Sequence, residues 1–269
     1  MCILAKYLLD YLAMIMFLFL FILACLKINM SYGSMYSIIL PTYNEKNNVP
    51  YIIYMIIEEL TKHNINYEVI LVDDNSEDAT ADVYKKLQSI FSNEKLLLLE
   101  REKKSGLGSA YMDALKLVSG DYVIIMDADL SHHPKYIYEF IKKQKETNCD
   151  IVTGSRYNKQ GGIFGWGFKR ILVSRVANFL TQFLLFINLT DLTGSFRLYK
   201  TDVLKEVIQT VQGKGYSFQM EVIVRAHKSG KTIEEVGYIF YDRLFGESKL
   251  SSSEIIKYLL CLLRLFWTL

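Results

Sequence analysis

Cysteine is scarce in this chain of 269 residues, with four copies that stand far apart. No two of them form a CxxC pair, and none has histidine at the spacing of a zinc site, so that class of site is excluded. The pattern is typical of reduced thiols in a protein that faces a reducing compartment. Proline is rarer still, and its three copies stand beside boundaries of predicted elements.

Excess charge is also missing, since the formal net charge is only +2. A nucleic-acid-binding surface needs a strongly basic face, so this balance argues against a nucleic-acid partner. No GxxxxGK[ST] phosphate loop is present, and Tyr111 stands where a dinucleotide fingerprint starting at Gly106 would need its third glycine. Apolar residues make up 51% of the chain, which is enough for a sizeable core.

One long apolar run lies near the N-terminus. Residues 11–26 carry no charge and stand between Asp10 and Lys27. The run is slightly shorter than the ~20 residues of a spanning helix and long for the core of a signal peptide. A membrane anchor is the favoured interpretation, while a cleaved signal peptide and a start codon further downstream stay open. We therefore predict a hydrophobic membrane anchor segment and linker over residues 1–35.

From residue 36 onward, short apolar runs alternate with helical stretches. Strands are predicted at 36–41, 67–74, 95–100, 121–129 and 150–157, with helices between them. Such alternation indicates an α/β fold with a parallel sheet covered on both faces. Beyond it we predict a glycine-rich loop at 160–167, strands within 191–200 and 232–243, and helices at 168–187, 216–230 and 254–269. Ligands of such sheets bind at the carboxyl ends of the strands.

Two aspartates, Asp127 and Asp129, close the fourth predicted strand. Residues two apart on a strand point to the same face, and two carboxylates there suit Mg²⁺ or Mn²⁺ carrying a diphosphate. Capping of the following turn or helix explains the pair equally well on spacing alone. The adjacent His132 and His133 cannot easily face one metal and fit a loop that leads into a helix.

Further charged residues stand at predicted element ends. Asp73 and Asp74 end the second strand, where an acid either binds a ribose or base or caps the next helix. Four basic residues lie near loops or element ends: Arg156, Arg170, Arg243 and Lys249. Singly each fits a solvated surface charge, but together they would neutralise the phosphates of a diphosphate.

Eight segments stand in a familiar order and spacing: SIILPTYNEKNNVP, EVILVDDNSEDAT, REKKSGLGSAY, IIMDADLSHHP, DIVTGSRY, DLTGSFRLYK, FQMEVIVRA and DRLFGESKL. By these segments residues 36–269 resemble the dolichyl-phosphate mannosyltransferase family. A strand-end DxD occurs in many sugar-nucleotide transferases, whereas MDADLSHHP together with GESKL is far more particular to this family.

The resemblance implies a GT-A fold, which is Rossmann-like with a mainly parallel sheet and helices on both faces. It implies a glycosyltransferase domain over 36–269, after the N-terminal hydrophobic segment and with C-terminal amphipathic interface helices. Within that domain, 36–158 would be the nucleotide-sugar-binding half and 159–269 the acceptor and membrane-interface half. The implied reaction is metal-assisted single displacement, with inversion, of mannose from GDP-mannose to dolichyl phosphate. The product would be the mannose donor for N-glycans, GPI anchors and O- and C-mannosylation.

The resemblance also implies roles for individual residues. Five would hold the guanine and ribose region: Pro41, Tyr43, Glu45, Val72 and Asp74. Three would contact the nucleotide sugar, the aspartates binding Mg²⁺ or Mn²⁺: Asp127, Ala128 and Asp129. Three basic residues would bind the phosphates or the sugar nucleotide: Arg156, Arg243 and Lys249. Arg170 would bind the acceptor phosphate. The catalytic set is then Asp127, Asp129, Arg156 and Arg170.

That chemistry needs no dedicated general base. The acceptor is a phosphate monoester with a second pKa of about 6, so it is largely ionised and already nucleophilic near neutral pH. A divalent ion would stabilise the departing GDP, and arginine and lysine would bring two anions together. Asp191 could be mistaken for a base, but we expect it to have a structural hydrogen-bonding role.

A lipid acceptor would also explain the apolar helices at 168–187 and 254–269, which would lie at the membrane interface. Packing of these helices against the protein core is the alternative explanation. The resemblance implies a place at the endoplasmic reticulum membrane, with the catalytic domain on the cytosolic face. Some members work with small membrane regulatory subunits, which makes such subunits candidate partners here. Two alternatives stay open: a related polyprenyl-phosphate glycosyltransferase using UDP-glucose or another sugar nucleotide, and a non-catalytic membrane subunit that keeps the fold as a scaffold.

Overall fold

The computed structural model of the protein describes residues 33–103, 106–213, 215, 217–245 and 252–269. Residues 35–269 form one compact unit. The apolar run at 11–26, predicted as a membrane anchor, lies outside the described residues. Within the described part of the chain, no helix combines the length and the apolar character needed to cross a membrane.

The strands are β1 (Met35–Thr42), β2 (Asn66–Asp73), β3 (Leu96–Glu100), β4 (Tyr122–Ile125), β5 (Ile151–Ser155), β6 (Gly162–Phe164), β7 (Arg197–Lys200), β8 (Ile233–Gly237) and β9 (Ile239–Tyr241). The helices are α1 (Val49–Lys62), α2 (Thr80–Ile90), α3 (Leu107–Ala114), α4 (Lys135–Thr147), α5 (Phe168–Leu185), α6 (Thr201–Ile208), α7 (Ser217–Lys228) and α8 (Ser252–Thr268).

The main sheet has the strand order β3-β2-β1-β4-β7-β5-β8. Strand β7 runs antiparallel to both of its neighbours, whereas all other pairs in the sheet are parallel. Strands β6 and β9 form a separate parallel pair. The predicted α/β fold with a mainly parallel sheet is therefore confirmed. The carboxyl ends of β1, β2 and β4 meet at one edge, which is the edge where α/β sheets bind ligands.

Apolar side chains of the sheet pack into two cores, one on each face of the sheet. Ile38 and Leu40 of β1 pack into a core with residues of α1, α2 and α4. Ile39, between them, packs on the other face with residues of α3, α6, α7 and α8. This alternation buries both faces of the strand, which is why β1 reads as an uninterrupted apolar run.

The second half of the chain departs most from the predicted elements. The strand predicted over 232–243 is two strands, β8 and β9, which pair in different sheets on either side of the buried Tyr238. Strand β6 lies inside the predicted glycine-rich loop, and helix α6 follows β7 without a turn. These elements are short, and their boundaries depend on tertiary pairing that periodicity does not reveal.

Candidate active site

The loops after β1 and β2 are tied together at the carboxyl edge of the sheet. Asn44 donates its backbone N–H to Ser76 Oγ at 2.8 Å, and its Oδ1 accepts the N–H of Glu77 at 2.9 Å. Asn44 and Asn75 both have positive φ angles, of 56° and 61°. Asparagine tolerates that left-handed conformation better than most residues, which suits the tight loops after β1 and β2.

The residues predicted for the nucleotide gather around these loops. Pro41 and Val72 are directly paired across β1 and β2, although the Val72 side chain is fully buried in the core. Glu45 is buried, and its Oε2 accepts a hydrogen bond from Asn48 Nδ2 at 2.6 Å. Tyr43 stands one residue past β1 and is partly exposed. Asp74 follows β2 and donates its backbone N–H to Thr42 O at 2.9 Å.

Arg101 belongs to this region, although sequence reasoning assigned it no role. It follows β3, and its Nη1 lies 2.6 Å from Asp74 Oδ1. Its Nη2 donates to Ser109 Oγ at 2.7 Å, and its Nε lies 3.3 Å from Asp113 Oδ2. The side chains of Arg101 and Asp74 are nearly buried, so this ion pair fixes the Asp74 carboxylate. The signal in the sequence was its place directly after a predicted strand of the same sheet.

Strand β4 ends at Ile125, four residues before the predicted end, so Asp127 and Asp129 lie in the following loop. The alternation of strand side chains therefore does not bring them together. Asp129 Oδ1 accepts the N–H and the Oγ–H of Ser131, at 3.1 and 2.5 Å. Leu130 has a positive φ of 66°, which turns the chain between the aspartate and that serine. The loop itself, rather than the strand, sets the geometry of the two carboxylates.

The two aspartates form one electrostatic cluster. Partial burial raises the pKa of Asp127 above its ordinary value, and the negative charge of Asp129 adds to the rise. The hydrogen bond from Ser195 and the positive charge of Arg243 oppose it. Ser195 Oγ lies 3.0 Å from both carboxylate oxygens of Asp127, and Arg243 Nη2 lies 3.1 Å from Asp129 Oδ2. Ser195 was not singled out by sequence reasoning, because it lies 68 residues from its partner.

The His132 ring supports this loop through a hydrogen bond and a ring contact. Its Nδ1 accepts the backbone N–H of Asp127 at 3.0 Å, and its ring stacks on Phe196 with centroids 4.9 Å apart. Burial lowers the pKa of His132, which favours the neutral imidazole that accepts this bond. His133 Nδ1 accepts the backbone N–H of Lys135 at 3.1 Å. Both rings therefore take part in local backbone hydrogen bonds, and the expectation that neither histidine is a metal ligand stays a prediction.

The aspartate pair fits a hard divalent cation. The Asp127 side chain is 36% exposed toward solvent, and Asp129 Oδ2, which lies 3.1 Å from Arg243 Nη2, would share its negative charge between that guanidinium and an ion. Mg²⁺ is commonly held by one or two carboxylates plus substrate phosphates, so two aspartates form an adequate protein share. Among the described residues, no cluster of three or more histidine, cysteine or acidic side chains could hold a metal.

Arg156 lies in a buried ion pair with Asp191. Its Nε and Nη2 lie 2.6 and 2.7 Å from the two carboxylate oxygens, and its backbone N–H donates to Oδ2 at 3.1 Å. Burial alone would raise the pKa of Asp191, but the charge and hydrogen bonds of Arg156 hold it below its ordinary value. Thr193 and Gly194 donate further N–H bonds to Asp191 Oδ1. These contacts give Asp191 the expected structural role, and the role of Arg156 toward phosphate stays a prediction.

Arg170, at the start of α5, is held on an aromatic platform. Its guanidinium carbon lies 3.9 Å from the Trp166 ring centre, and its Nη1 lies 3.2 Å from Asp242 Oδ1. Asp242 directly precedes Arg243, so consecutive residues contact Arg170 and the aspartate cluster. Lys249, also predicted to bind phosphate, lies outside the described residues.

Helices α5 and α8 pack together through Thr181 Oγ1 and the Tyr258 hydroxyl, which are 2.6 Å apart. Their inner residues are buried, so core packing accounts for one face of each helix. Their outer residues form an apolar surface, which we call the α5–α8 face: Phe168, Leu172, Val173, Val176, Phe179, Phe183, Ile256, Leu259, Leu260, Leu263, Phe266 and Trp267. Lys169, Arg170 and Arg175 lie along α5 at the start of this face.

Comparisons with known proteins agree on one family. The model of glycosyl transferase family 2 matches residues 37–208. The chain is 33% identical over 222 residues to polyprenol monophosphomannose synthase of Mycolicibacterium smegmatis, covering 81% of this chain and 82% of the relative. It is 36% identical over 234 residues to dolichol-phosphate mannosyltransferase of Pyrococcus furiosus, covering 85% of this chain and 63% of the relative.

Solved structures share the fold at low identity. Glucosyl-3-phosphoglycerate synthase from Mycobacterium tuberculosis, in complex with Mn²⁺, UDP and glucosyl-3-phosphoglycerate, aligns with a TM-score of 0.65 at 18% identity, covering 88% of this chain and 81% of that chain. A mannosyltransferase from Pyrobaculum calidifontis, in complex with GDP-Man and Mn²⁺, aligns with a TM-score of 0.58 at 16% identity, covering 81% and 59%. The predicted GT-A-like fold is thereby confirmed.

Proposed function

Because the chain belongs to glycosyl transferase family 2 and is a glycosyltransferase, we propose that it transfers mannose from GDP-mannose to dolichyl phosphate. The observation that carries this proposal is the pair Asp242–Arg243. Arg243 contacts Asp129 of the aspartate cluster, and Asp242 contacts Arg170 at the start of the apolar α5–α8 face. In this proposal, a site for a metal-bound diphosphate adjoins a cationic site beside a lipid-compatible surface. The product would serve as mannose donor in protein glycosylation and GPI-anchor synthesis.

The donor half would use Mg²⁺ or Mn²⁺, held by Asp127 and Asp129. When bound, the ion supplies charge stabilisation for the departing diphosphate. The structural neighbours described above were solved with Mn²⁺, which supports a divalent ion in this fold. Arg243, which contacts Asp129 at 3.1 Å, lies where its guanidinium would meet phosphate oxygens.

The acceptor half would need no general base. A phosphate monoester oxygen attacks the anomeric carbon of mannose as the bond to GDP breaks, so a single displacement inverts the configuration. The Asp191 carboxylate is engaged by Arg156, Thr193 and Gly194 and is held ionised by its lowered pKa. Arg170 would bind the incoming phosphate. In this arrangement, cationic groups bring the acceptor phosphate and the donor diphosphate together, and no proton acceptor takes part.

Nucleotide selectivity tests the donor. With Mn²⁺ present, GDP should bind the purified chain at least about tenfold more tightly than UDP, a difference of about 1.4 kcal/mol measured by titration calorimetry. Tighter binding of UDP would favour the alternative polyprenyl-phosphate glycosyltransferase that uses UDP-glucose. Binding of neither nucleotide would favour the non-catalytic scaffold.

We further propose that the protein works at the endoplasmic reticulum membrane, with its catalytic domain on the cytosolic face and dolichyl phosphate presented by the bilayer. The apolar α5–α8 face and the basic residues at its edge suit a membrane surface. Small membrane regulatory subunits are candidate partners there. In sealed microsomes the catalytic domain should be cut by added protease, and full protection would contradict the cytosolic placement.

Trp267 offers a local test of the membrane contact. It is 81% exposed on α8, and the chain has only one other tryptophan, Trp166. Vesicles that contain brominated phospholipid should quench and blue-shift the emission of the full-length protein, because Trp267 would enter the lipid interface. The Trp267→Phe variant should lose most of that quenching. Equal quenching of both proteins would show that α8 does not meet the bilayer.

A further inference from the structure

Two consecutive residues after β9 contact different halves of the candidate site. Asp242 Oδ1 lies 3.2 Å from Arg170 Nη1, on the acceptor side. Arg243 Nη2 lies 3.1 Å from Asp129 Oδ2, on the donor side. Adjacent Cα atoms are ~3.8 Å apart, so this dipeptide limits how far the acceptor cation can lie from the aspartate cluster.

The backbone that carries Asp242 is itself fixed. The N–H of Asp242 donates to Phe164 O at 2.9 Å, which extends the β6–β9 pairing by one residue. Gly165 has a φ of +93°, and a Cβ added there would come within 2.8 Å of Asp242 Cβ. Only glycine suits a position with that φ and so close a neighbour. The turn that delivers Trp166 therefore packs directly against Asp242.

Two contacts among the described residues consequently orient Arg170. The Trp166 ring lies under its guanidinium, 3.9 Å from centre to carbon, and fixes the plane of the group. The Asp242 carboxylate lies at its edge and fixes its rotation within that plane. A guanidinium carries five N–H donors in a rigid fork, so one carboxylate can orient it while a phosphate binds another edge.

We propose that Asp242 is a positioning residue for the acceptor phosphate: it orients the Arg170 guanidinium on the Trp166 ring. The inference rests on the proposed function, because it takes Arg170 as the residue that binds the phosphate monoester. Asp242 touches neither substrate in this account and acts through Arg170.

Two opposing effects decide the result of removing the carboxylate. Its negative charge would repel an incoming phosphate, whereas its hydrogen bond orders a long and flexible side chain. The Asp242 side chain is 42% exposed, so solvent screens its charge and the repulsion is weak. The ordering does not depend on that charge to the same degree. We therefore expect the loss of orientation to dominate.

Steady-state kinetics with separate titration of each substrate tests this role. Asp242→Ala should raise the KM for dolichyl phosphate about fivefold, the upper range for a partly exposed pair, while the KM for GDP-mannose stays unchanged. Asp242→Asn keeps an oxygen acceptor and should show a smaller rise. The double variant Asp242→Ala/Arg170→Gln should be no worse than Arg170→Gln alone. Asp82→Ala, which removes an exposed carboxylate of α2, is the matched control.

The outcomes separate this inference from the proposed function. The positioning role would be overturned if Arg170→Gln raises the acceptor KM while that KM falls or does not change in both Asp242 variants. An acceptor KM that does not respond to Arg170→Gln would overturn the proposed role of Arg170 itself. Additive effects in the double variant would show that Asp242 acts independently of Arg170. If Asp242→Ala does not fold, the Asp242→Asn comparison decides the question.

Discussion

Replacing Asp129 with asparagine is expected to lower kcat/KM for mannose transfer by about 10²- to 10³-fold, the range seen when one preorganised charge-stabilising group is removed from an active site. The side chain keeps its shape but loses the charge that would hold a divalent ion. It also loses its ion pair with Arg243, now 3.1 Å away. The Oδ1 atom that accepts from Ser131 can be kept, so the loop should retain its conformation.

The measurement pairs activity with metal binding. Electron paramagnetic resonance of added Mn²⁺ should show that Asp129→Asn binds the ion more weakly than the wild type in the presence of GDP. Asp82→Asn, on the exposed surface of α2, should match the wild type in both measurements. An Asp129→Asn protein with unchanged Mn²⁺ binding and transfer would remove the metal role from the aspartate cluster.

Replacing Asp191 with alanine is expected to lower the free energy of unfolding by about 3 to 5 kcal/mol, because breaking a buried pair leaves an uncompensated charge. Arg156 and Asp191 are both buried, and their contact is a two-pronged one at 2.6 and 2.7 Å. The alanine variant would also leave the N–H groups of Thr193 and Gly194 without their acceptor. Chemical denaturation of the purified protein measures the loss.

The double variant Asp191→Ala/Arg156→Met is the matched control. Removing both charges should recover a large part of the lost stability, because a buried pair is often replaceable by apolar residues at little cost. Equal stability of the Asp191→Ala protein and the wild type would contradict the buried pair. A double variant less stable than the single one would show that Arg156 has stabilising contacts apart from Asp191.

The same pair sets a pH dependence. Arg156 holds the pKa of Asp191 below its ordinary value, so the carboxylate favours the folded state when it is ionised. This contribution is fully present above the unfolded-state pKa of about 3.9 and is lost as the pH falls through the lower folded-state value. Near neutral pH it should therefore be constant.

Much of the fold was predictable because the strands are buried on both faces. The strands predicted at 36–41, 67–74 and 95–100 correspond to β1, β2 and β3 within one residue at each end. The antiparallel direction of β7 was not predictable, since strand direction depends on the path of the chain between elements. Helix α6 was missed because it directly continues from β7, and no turn residue separates them.

Some residues of the candidate site could likewise be identified from the sequence, and others could not. Asp127 and Asp129 were singled out because two residues of one chemical type stand two apart at the end of a predicted strand, although β4 ends before them. Ser195 and Arg101 were missed because their partners lie 68 and 27 residues away, and a sequence pattern does not show such pairs. Asp242 was missed for the same reason, since its contact with Arg170 spans 72 residues.

Incubation of the full-length protein with radiolabelled GDP-mannose, Mn²⁺ and dolichyl phosphate in vesicles tests the central claim most directly. Label is expected in the organic phase as dolichyl phosphate mannose, dependent on both the lipid phosphate and the divalent ion. Label that stays in the aqueous phase, while UDP-glucose gives a lipid product under the same conditions, would contradict it.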